Sequence, residues 1–257
     1  MIDEHTLAPY LRGDMSGKIH AFNVVGSTNA VAKEMAANGC AHGTVIIADT
    51  QTAGRGRRGR SFYSPPGSGL YISFVLAPGE MGLTALTTVT AAAAVPVCRA
   101  ITLVSGTEPS IKWVNDVLID GKKVCGILAE AVSDVSTGEI SRIVLGIGVN
   151  VYTDVFPDDI KRTAGSVFNA NAAGEKARLA AELINAIALS DGWVRGAGIH
   201  DEYRQRCTML GRDITVLLPA ESFTARAVDL DSDFRLIVEK SDGEILALSS
   251  GEISVRP

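Results

Sequence analysis

Gln51-Thr52-Ala53-Gly54-Arg55-Gly56-Arg57-Arg58-Gly59-Arg60 places four arginines within six consecutive positions and alternates them with glycine. Glycine lets a backbone come close to a ligand, and the guanidinium fork matches the paired oxygens of phosphate and carboxylate. The segment is flanked by two apolar runs that read as buried strands, Thr44 to Ala48 and Leu70 to Leu76. The connection from Asp49 to Gly69 is therefore longer than most loops of a compact domain, which marks a binding loop or disorder. A solvated basic loop and an RG-type nucleic-acid tether are the alternatives. Such tethers lie in basic, disordered tails, whereas this one sits between strands of an acidic chain with Phe62 and Tyr63 close behind. A loop that wraps a phosphate-bearing ligand is the preferred reading. It is neither a GxxxxGK[ST] loop nor a GxGxxG fingerprint, so any nucleotide is held in another way.

The 257 residues suffice for one large core with a small appendage. A net charge of −5 and an isoelectric point near 5.4 give the whole molecule no electrostatic footprint for nucleic acid or anionic membrane. Cys40, Cys98, Cys125 and Cys207 are widely spaced, without a CxxC pair, and read as reduced thiols rather than zinc ligands or disulfides. The start of the chain has no secretory pattern, and the apolar tract from Thr87 to Leu103 is interrupted by Pro96 and Arg99, so a cytoplasmic protein is expected. His20, His42 and His200 have no ligand spacing.

Outward from the loop, His20 to Val25 reads as a strand. Ser27 and Thr28 can cap a helix that Asn38 and Gly39 end. An alanine-rich helix is expected from about Leu83 to Leu103, then strands at Ile111 to Val114, Val117 to Ile119, Ile127 to Val132 and Ile143 to Val151. Helices follow at Glu175 to Leu189 and Ile199 to Met209. Beyond Gly211 short alternating strands take over: Ile214 to Leu218, Phe223 to Asp229, Phe234 to Val238, Ile245 to Leu248 and Ile253 to Val255. The expected architecture is α+β. A mixed β-sheet with helices packed mainly on one face occupies residues 1–210, and a small SH3-like β-barrel occupies 211–257.

Several segments together resemble the biotin protein ligase family. Gln51 to Arg60 is similar to its biotin- and adenylate-binding loop, Ser27-Thr28-Asn29 to its STN motif, and Lys112-Trp113-Val114-Asn115-Asp116 to KWPND. Lys123 to Glu130 is similar to KxxGILxE, and Leu145 to Asn150 and Gly251 to Ser254 also match. The chain departs from the pattern at Val114, where the family usually has proline, a change expected to loosen that turn.

The resemblance implies a class II synthetase-like catalytic domain and a two-step reaction. Biotin and Mg-ATP give biotinyl-5′-AMP, and the biotinyl group passes to a lysine of a biotin carboxyl carrier protein or carboxylase carrier domain. It implies biotin contacts from Ser27, Thr28, Asn29, Gln51, Gly54, Arg55, Gly56, Arg57, Phe62 and Lys123. Arg57 and Lys123 are the expected catalytic cations, because attack builds negative charge on the α-phosphate; loss of Arg57 is expected to release the adenylate early. Arg55, Arg57, Asn115, Asp116 and Asn150 are expected at the nucleotide, with magnesium bridging its phosphates and the protein ligands undefined. Lys112 reads equally well as a snorkelling lysine or a substrate contact.

The family includes monomers and homodimers, and some members carry an N-terminal DNA-binding domain, for which this sequence leaves no room before residue 18. Two other readings compete: a lipoate-protein ligase or octanoyl transferase, and a nucleic-acid module that uses the arginine loop without catalysis. The STN motif and the arginine loop favour the biotin reading.

Overall fold

The structure, a computed structural model, describes residues 2–78, 85–134, 136–170, 173–190, 192–218, 221–249 and 252–255. Helix α1 (Glu4–Leu7) precedes strand β1 (Ile19–Val25) and helix α2 (Thr28–Ala37). Strands β2 (Thr44–Gln51) and β3 (Gly69–Leu76) flank the arginine loop. Next come helices α3 (Ala85–Ala92) and α4 (Ala94–Ser105), strands β4 (Ser110–Lys112), β5 (Asp116–Ile119), β6 (Lys122–Ser133) and β7 (Ile140–Asn150), and helices α5 (Ala173–Ile187) and α6 (Ile199–Arg206). Five strands close the chain: β8 (Asp213–Leu217), β9 (Ser222–Leu230), β10 (Leu236–Lys240), β11 (Ile245–Leu248) and β12 (Glu252–Val255).

The first seven strands form one mixed sheet in the order β1-β2-β3-β7-β6-β5-β4, with β1 parallel to β2 and the other neighbours antiparallel. Alternation along the strands sorts its two faces. Ile72 and Phe74 of β3 and Leu145, Ile147 and Val149 of β7 point into the main core with α3, α4 and α5. On the opposite face Ile46, Val75 and Val144 meet only Ala32 and Ala36 of α2. One short helix covers part of that second face, and the remainder is free to form a site. The expected packing of helices mainly on one face is what the structure shows.

The last five strands make a separate antiparallel sheet in the order β11-β10-β9-β8-β12. Its inward side chains, among them Ile214, Val216, Leu236 and Val238, continue the main core rather than forming an isolated one. Indole Nε1 of Trp113 donates to Phe234 O at 2.8 Å, and Phe234 packs edge-on against Tyr203 of α6 at 5.3 Å.

Several boundaries differ from expectation for identifiable reasons. The tract expected as one helix from Leu83 is two helices that part at Ala93, and Leu83 itself lies outside the described residues. Pro96 has no N–H for the Ala92 carbonyl and its ring crowds that carbonyl, so the break falls one turn upstream. The segment Leu86–Ser105 is long and apolar enough to cross a membrane, yet 72% of its most apolar window is buried inside the fold. Strand β6 begins at Lys122, earlier than expected, which puts Lys123 on the sheet rather than on a turn. Phe234 precedes its strand in a left-handed conformation, φ 61°. The expected helix through Met209 stops at Arg206.

Candidate active site

The uncovered part of the α2 face opens into a cavity of about 470 Å³, within the roughly 300–1,000 Å³ usual for small-ligand sites. Its floor is made by absent side chains. Gly126 and Gly148 are cross-strand partners, and Gly146 lies two residues along on the same face. A Cβ at Gly146 would fall 2.1 Å from Asn29 Oδ1, and one at Gly148 would fall 2.7 Å from Phe62 Cε1. The glycines let Asn29 and Phe62 lie against the bare backbone of the sheet. Phe62, edge-on to Tyr71 at 6.5 Å, supplies the aromatic wall, and Ile127, Leu128 and Ile147 add apolar lining.

The polar wall comes from the start of α2 and the end of β2. Ser27 is the N-cap by backbone geometry, φ −157°, but its hydroxyl makes no capping bond. It is 4% exposed, lines the cavity and has no protein hydrogen-bond partner among the described residues, which leaves it for a ligand. Thr28 directs both N–H, at 2.8 Å, and Oγ1, at 3.2 Å, to Gln51 Oε1. Gln51 Nε2 donates to Ser64 Oγ at 3.1 Å, and Ser64 Oγ donates to Phe62 O at 3.0 Å. Gln51 is thus locked in one orientation, with one Nε2 proton still unassigned. Asn29 lines the cavity, but its amide donates to Glu130 Oε2 at 2.9 Å and its Oδ1 lies 2.7 Å from Ser73 Oγ. Its work is to brace α2 on the sheet.

The arginine loop closes over this cavity, pinned at three points. Gly54 is at its foot, where a Cβ would meet Phe62 O at 2.5 Å and Ser64 Oγ at 2.6 Å, so the expected ligand contact there is instead a packing constraint. Arg55 lies 3.9 Å from Glu130, which also holds Lys33 at 3.0 Å. Burial by itself would raise the Glu130 carboxyl, but hydrogen bonds from Asn29 and Lys33 and the charges of Lys33 and Arg55 outweigh it and hold it below its ordinary value. Arg57 Nη1 donates to Asn115 Oδ1 at 2.9 Å. Burial, with the neighbouring Arg58 charge, lowers the Arg57 guanidinium from its ordinary range; Asp116 and Tyr203 act in the opposite direction.

A second, wider cavity of about 1000 Å³ adjoins the first. Arg58, Arg60, Lys112, Trp113 and Asp116 line it, together with Leu217 and Ile253 from the C-terminal sheet. Gly56, Arg57, Phe62, Asn115 and Lys123 belong to both cavities. Lys123 Nζ sits 2.6 Å from Asp116 Oδ1 at this seam. A ligand in the enclosed cavity and another in the wide one would therefore meet between two cations, Arg57 and Lys123.

Most of the expected site residues converge here, but three behave differently from expectation. Asn150 lines neither cavity; it is 5% exposed and its amide donates to Gly165 O at 3.0 Å and Lys123 O at 3.4 Å, which ties a loop to the strand carrying Lys123. Asn115 is spent on the protein, since Nδ2 donates to Ile127 O at 3.0 Å while Oδ1 holds Arg57. The turn at Val114 is also not loose: the Trp113–Val114 peptide is cis, and Val114 O accepts from Tyr203 OH at 3.2 Å. Lys112, left open by the sequence, is in the wall of the second cavity. The glycine floor was unforeseen, although glycines two apart in a strand signal a bare patch on one face.

Behind the site, Lys176 of α5 is buried and its Nζ reaches Asp49 Oδ1 at 2.9 Å and Gly67 O at 3.1 Å. This contact fastens both ends of the arginine loop to the helical layer. Among the described residues no group of three or more His, Cys, Asp or Glu side chains could hold a metal ion.

Comparison with known proteins adds an independent line. The model of the biotin/lipoate A/B protein ligase family matches residues 21–150, and that of the biotin protein ligase C-terminal domain matches 209–256. The chain is 30% identical to a biotin--[acetyl-CoA-carboxylase] ligase of Mycobacterium tuberculosis, over 98% of this chain and 95% of that relative. It is 40% identical to a bifunctional ligase/repressor of Bacillus spizizenii, but that match spans 60% of this chain and only 46%, about half, of the relative's length. The structure resembles that of an Aquifex aeolicus biotin protein ligase in complex with biotin and ATP, with a TM-score of 0.72, 26% identity, and coverage of 93% of this chain and 99% of the other.

Proposed function

The chain belongs to the biotin/lipoate A/B protein ligase family, and from that membership we propose that it activates biotin with ATP and transfers it to a lysine of a carrier protein. The observation that carries the reading is the seam: an enclosed, partly apolar cavity opens onto a wider cationic one through Arg57 and Lys123. Biotin's ureido ring meets Ser27 and the α2 start, its apolar arm lies along Phe62 over the glycine floor, and its carboxylate points to the seam.

In the first step a carboxylate oxygen attacks the α-phosphorus of ATP, the bridging bond to the β-phosphate breaks, and pyrophosphate leaves. Negative charge grows on the α-phosphate oxygens, and fixed cations stabilise that charge more than they stabilise the ground state. Arg57, fixed by Asn115, and Lys123 serve this role. In the second step a carrier lysine amine attacks the acyl carbon of the mixed anhydride, an amide forms, AMP departs and the amine proton is released. The loop excludes water until then.

Asp116 is the one acidic side chain lining the wide cavity among the described residues. This fits Mg²⁺, which commonly takes one or two carboxylates and keeps the rest of its shell for waters and phosphates. Bound there, it would neutralise phosphate charge. The carrier is a biotin carboxyl carrier protein or the equivalent domain of a carboxylase, and a cytoplasmic location suits three buried, reduced thiols. We place the boundary between catalytic unit and barrel at residues 210 and 211, where Gly211 takes a left-handed φ of 76°.

Incubation of the protein with biotin, Mg-ATP and a carboxylase carrier domain, followed by intact-mass measurement of the carrier, tests the reading. The expected result is one added biotinyl group. Lipoylation in preference to biotinylation would favour the lipoate alternative.

A further inference from the structure

Arg57 is aligned from behind by groups that never reach the cavities. It is held by Asn115, and Asn115 closes the turn Trp113-Val114-Asn115 between β4 and β5. Two donors secure that turn on its far side. Tyr203 of α6 is fully buried and gives its OH to Val114 O at 3.2 Å; Trp113 gives its indole N–H to Phe234 O at 2.8 Å. Phe234 is presented by a tight turn of the C-terminal sheet in which Asp231 accepts from the N–H groups of Asp233 and Arg235 and pairs with the Arg235 guanidinium. The ring of Phe234 packs against both Tyr203 and His200, so α6 and the barrel grip the turn as one body.

The geometry points to Tyr203 as a positioning residue for adenylate formation, acting with the barrel's Phe234 carbonyl through the 113–115 turn on Asn115 and thence on Arg57. This assignment rests on the proposed activation at the Arg57 seam. A phenylalanine at 203 would fill the same core space equally well, so the hydroxyl is the part that packing does not require. Its one printed partner is the carbonyl that precedes Asn115. A shift of the turn by a fraction of an ångström rotates the Asn115 amide and releases the guanidinium from the seam. Binding of biotin at the other end of its cavity is left intact, because Ser27, Gln51 and Phe62 are held by a separate set of bonds.

The test uses the full chain and two substitutions, Tyr203→Phe and Asn115→Ala, singly and together. Biotin-dependent exchange of pyrophosphate into ATP gives kcat and the KM for biotin, and thermal melts report the fold. The expected outcome is a fall in kcat of about tenfold for Tyr203→Phe with the biotin KM within about twofold of wild type, and no further fall when it is added to Asn115→Ala. Unchanged kcat, or effects that multiply in the double variant, would overturn the assignment. NMR of the Arg57 side-chain N–H groups gives a readout independent of turnover: Tyr203→Phe should move these resonances while leaving those of Arg55 in place. Absence of exchange in the wild type would count against the proposed function, whereas the Arg57 shift would still judge the relay. If Tyr203→Phe lowers the melting point too far for assay, Trp113→Phe removes the other donor and is put through the same cycle, with the same two outcomes deciding.

Discussion

Arg57 and Asn115, 58 positions apart in the chain, are joined by a 2.9 Å hydrogen bond where the two cavities meet. The loop arginine that looked mobile in sequence is thereby fixed to the sheet. A guanidinium fixed before the reaction needs little reorganisation when charge develops, which is the condition for large electrostatic catalysis.

Removal of the acceptor tests this directly. Asn115→Ala should lower kcat for adenylate formation by roughly 10- to 100-fold, with little change in biotin affinity, because orientation is lost and the binding wall is kept. Pyrophosphate exchange against biotin titration separates the two quantities, and a rise in KM alone would assign Asn115 to binding.

Lys123 should matter through its charge. Lys123→Met keeps the aliphatic stem but removes the cation and leaves Asp116 unpaired, and the adenylation rate is expected to fall by about 10² to 10³. Rapid-quench measurement of adenylate checks it; a loss of less than threefold would remove Lys123 from the chemistry.

The glycine floor makes a prediction about binding. Gly146→Ala puts a methyl 2.1 Å from Asn29 Oδ1, and Gly148→Ala puts one 2.7 Å from Phe62. Each should weaken biotin by at least about tenfold in calorimetry, equivalent to roughly 1.4 kcal/mol. A wild-type affinity in both would mean that the ligand does not lie on this face.

Glu130 sets an acid limit. Its carboxyl is held below its ordinary value of 4.5 in the folded protein, so its contribution is fully present above that value and fades as the pH falls through the lowered one. Loop attachment should therefore weaken below about pH 4.5, and in Glu130→Gln that acid-dependent loss should be smaller. Limited proteolysis of the loop as a function of pH reads this, and identical profiles in the two proteins would refute it.

Lys176 fastens the loop from the helical side. Lys176→Met leaves Asp49 without its buried partner, and because Asp49 keeps some solvent contact the cost is expected near 2 kcal/mol. Urea unfolding measures it, and equal stability would show that the pair contributes nothing net.

Much of this was legible in sequence because it rests on local pattern. The arginine loop, the Ser27-Thr28-Asn29 start of α2, and the switch to short strands beyond Gly211 all involve neighbouring residues whose type dictates their geometry. What escaped depends on pairing across the sheet. Gly146 and Gly148 become a cavity floor only because Gly126 lies beside them on β6, and Lys176 acts on the loop only because α5 crosses behind β2 and β3. Asn150 and Asn115 have the chemistry of ligand groups, but the structure uses their amides on its own backbone and on Arg57. Pro96 was read as an interruption, while its effect on the Ala92 carbonyl, which splits the helix at Ala93, needed the three-dimensional path.

The measurement that bears most directly on the seam is biotin-dependent exchange of pyrophosphate into ATP, run on the wild type and on Arg57→Gly with free biotinyl-5′-AMP assayed in the supernatant. The wild type should exchange only when biotin is present and keep its adenylate bound, while the variant should shed it into solution. Exchange without biotin, or equal retention of the adenylate by both proteins, would contradict the assignment.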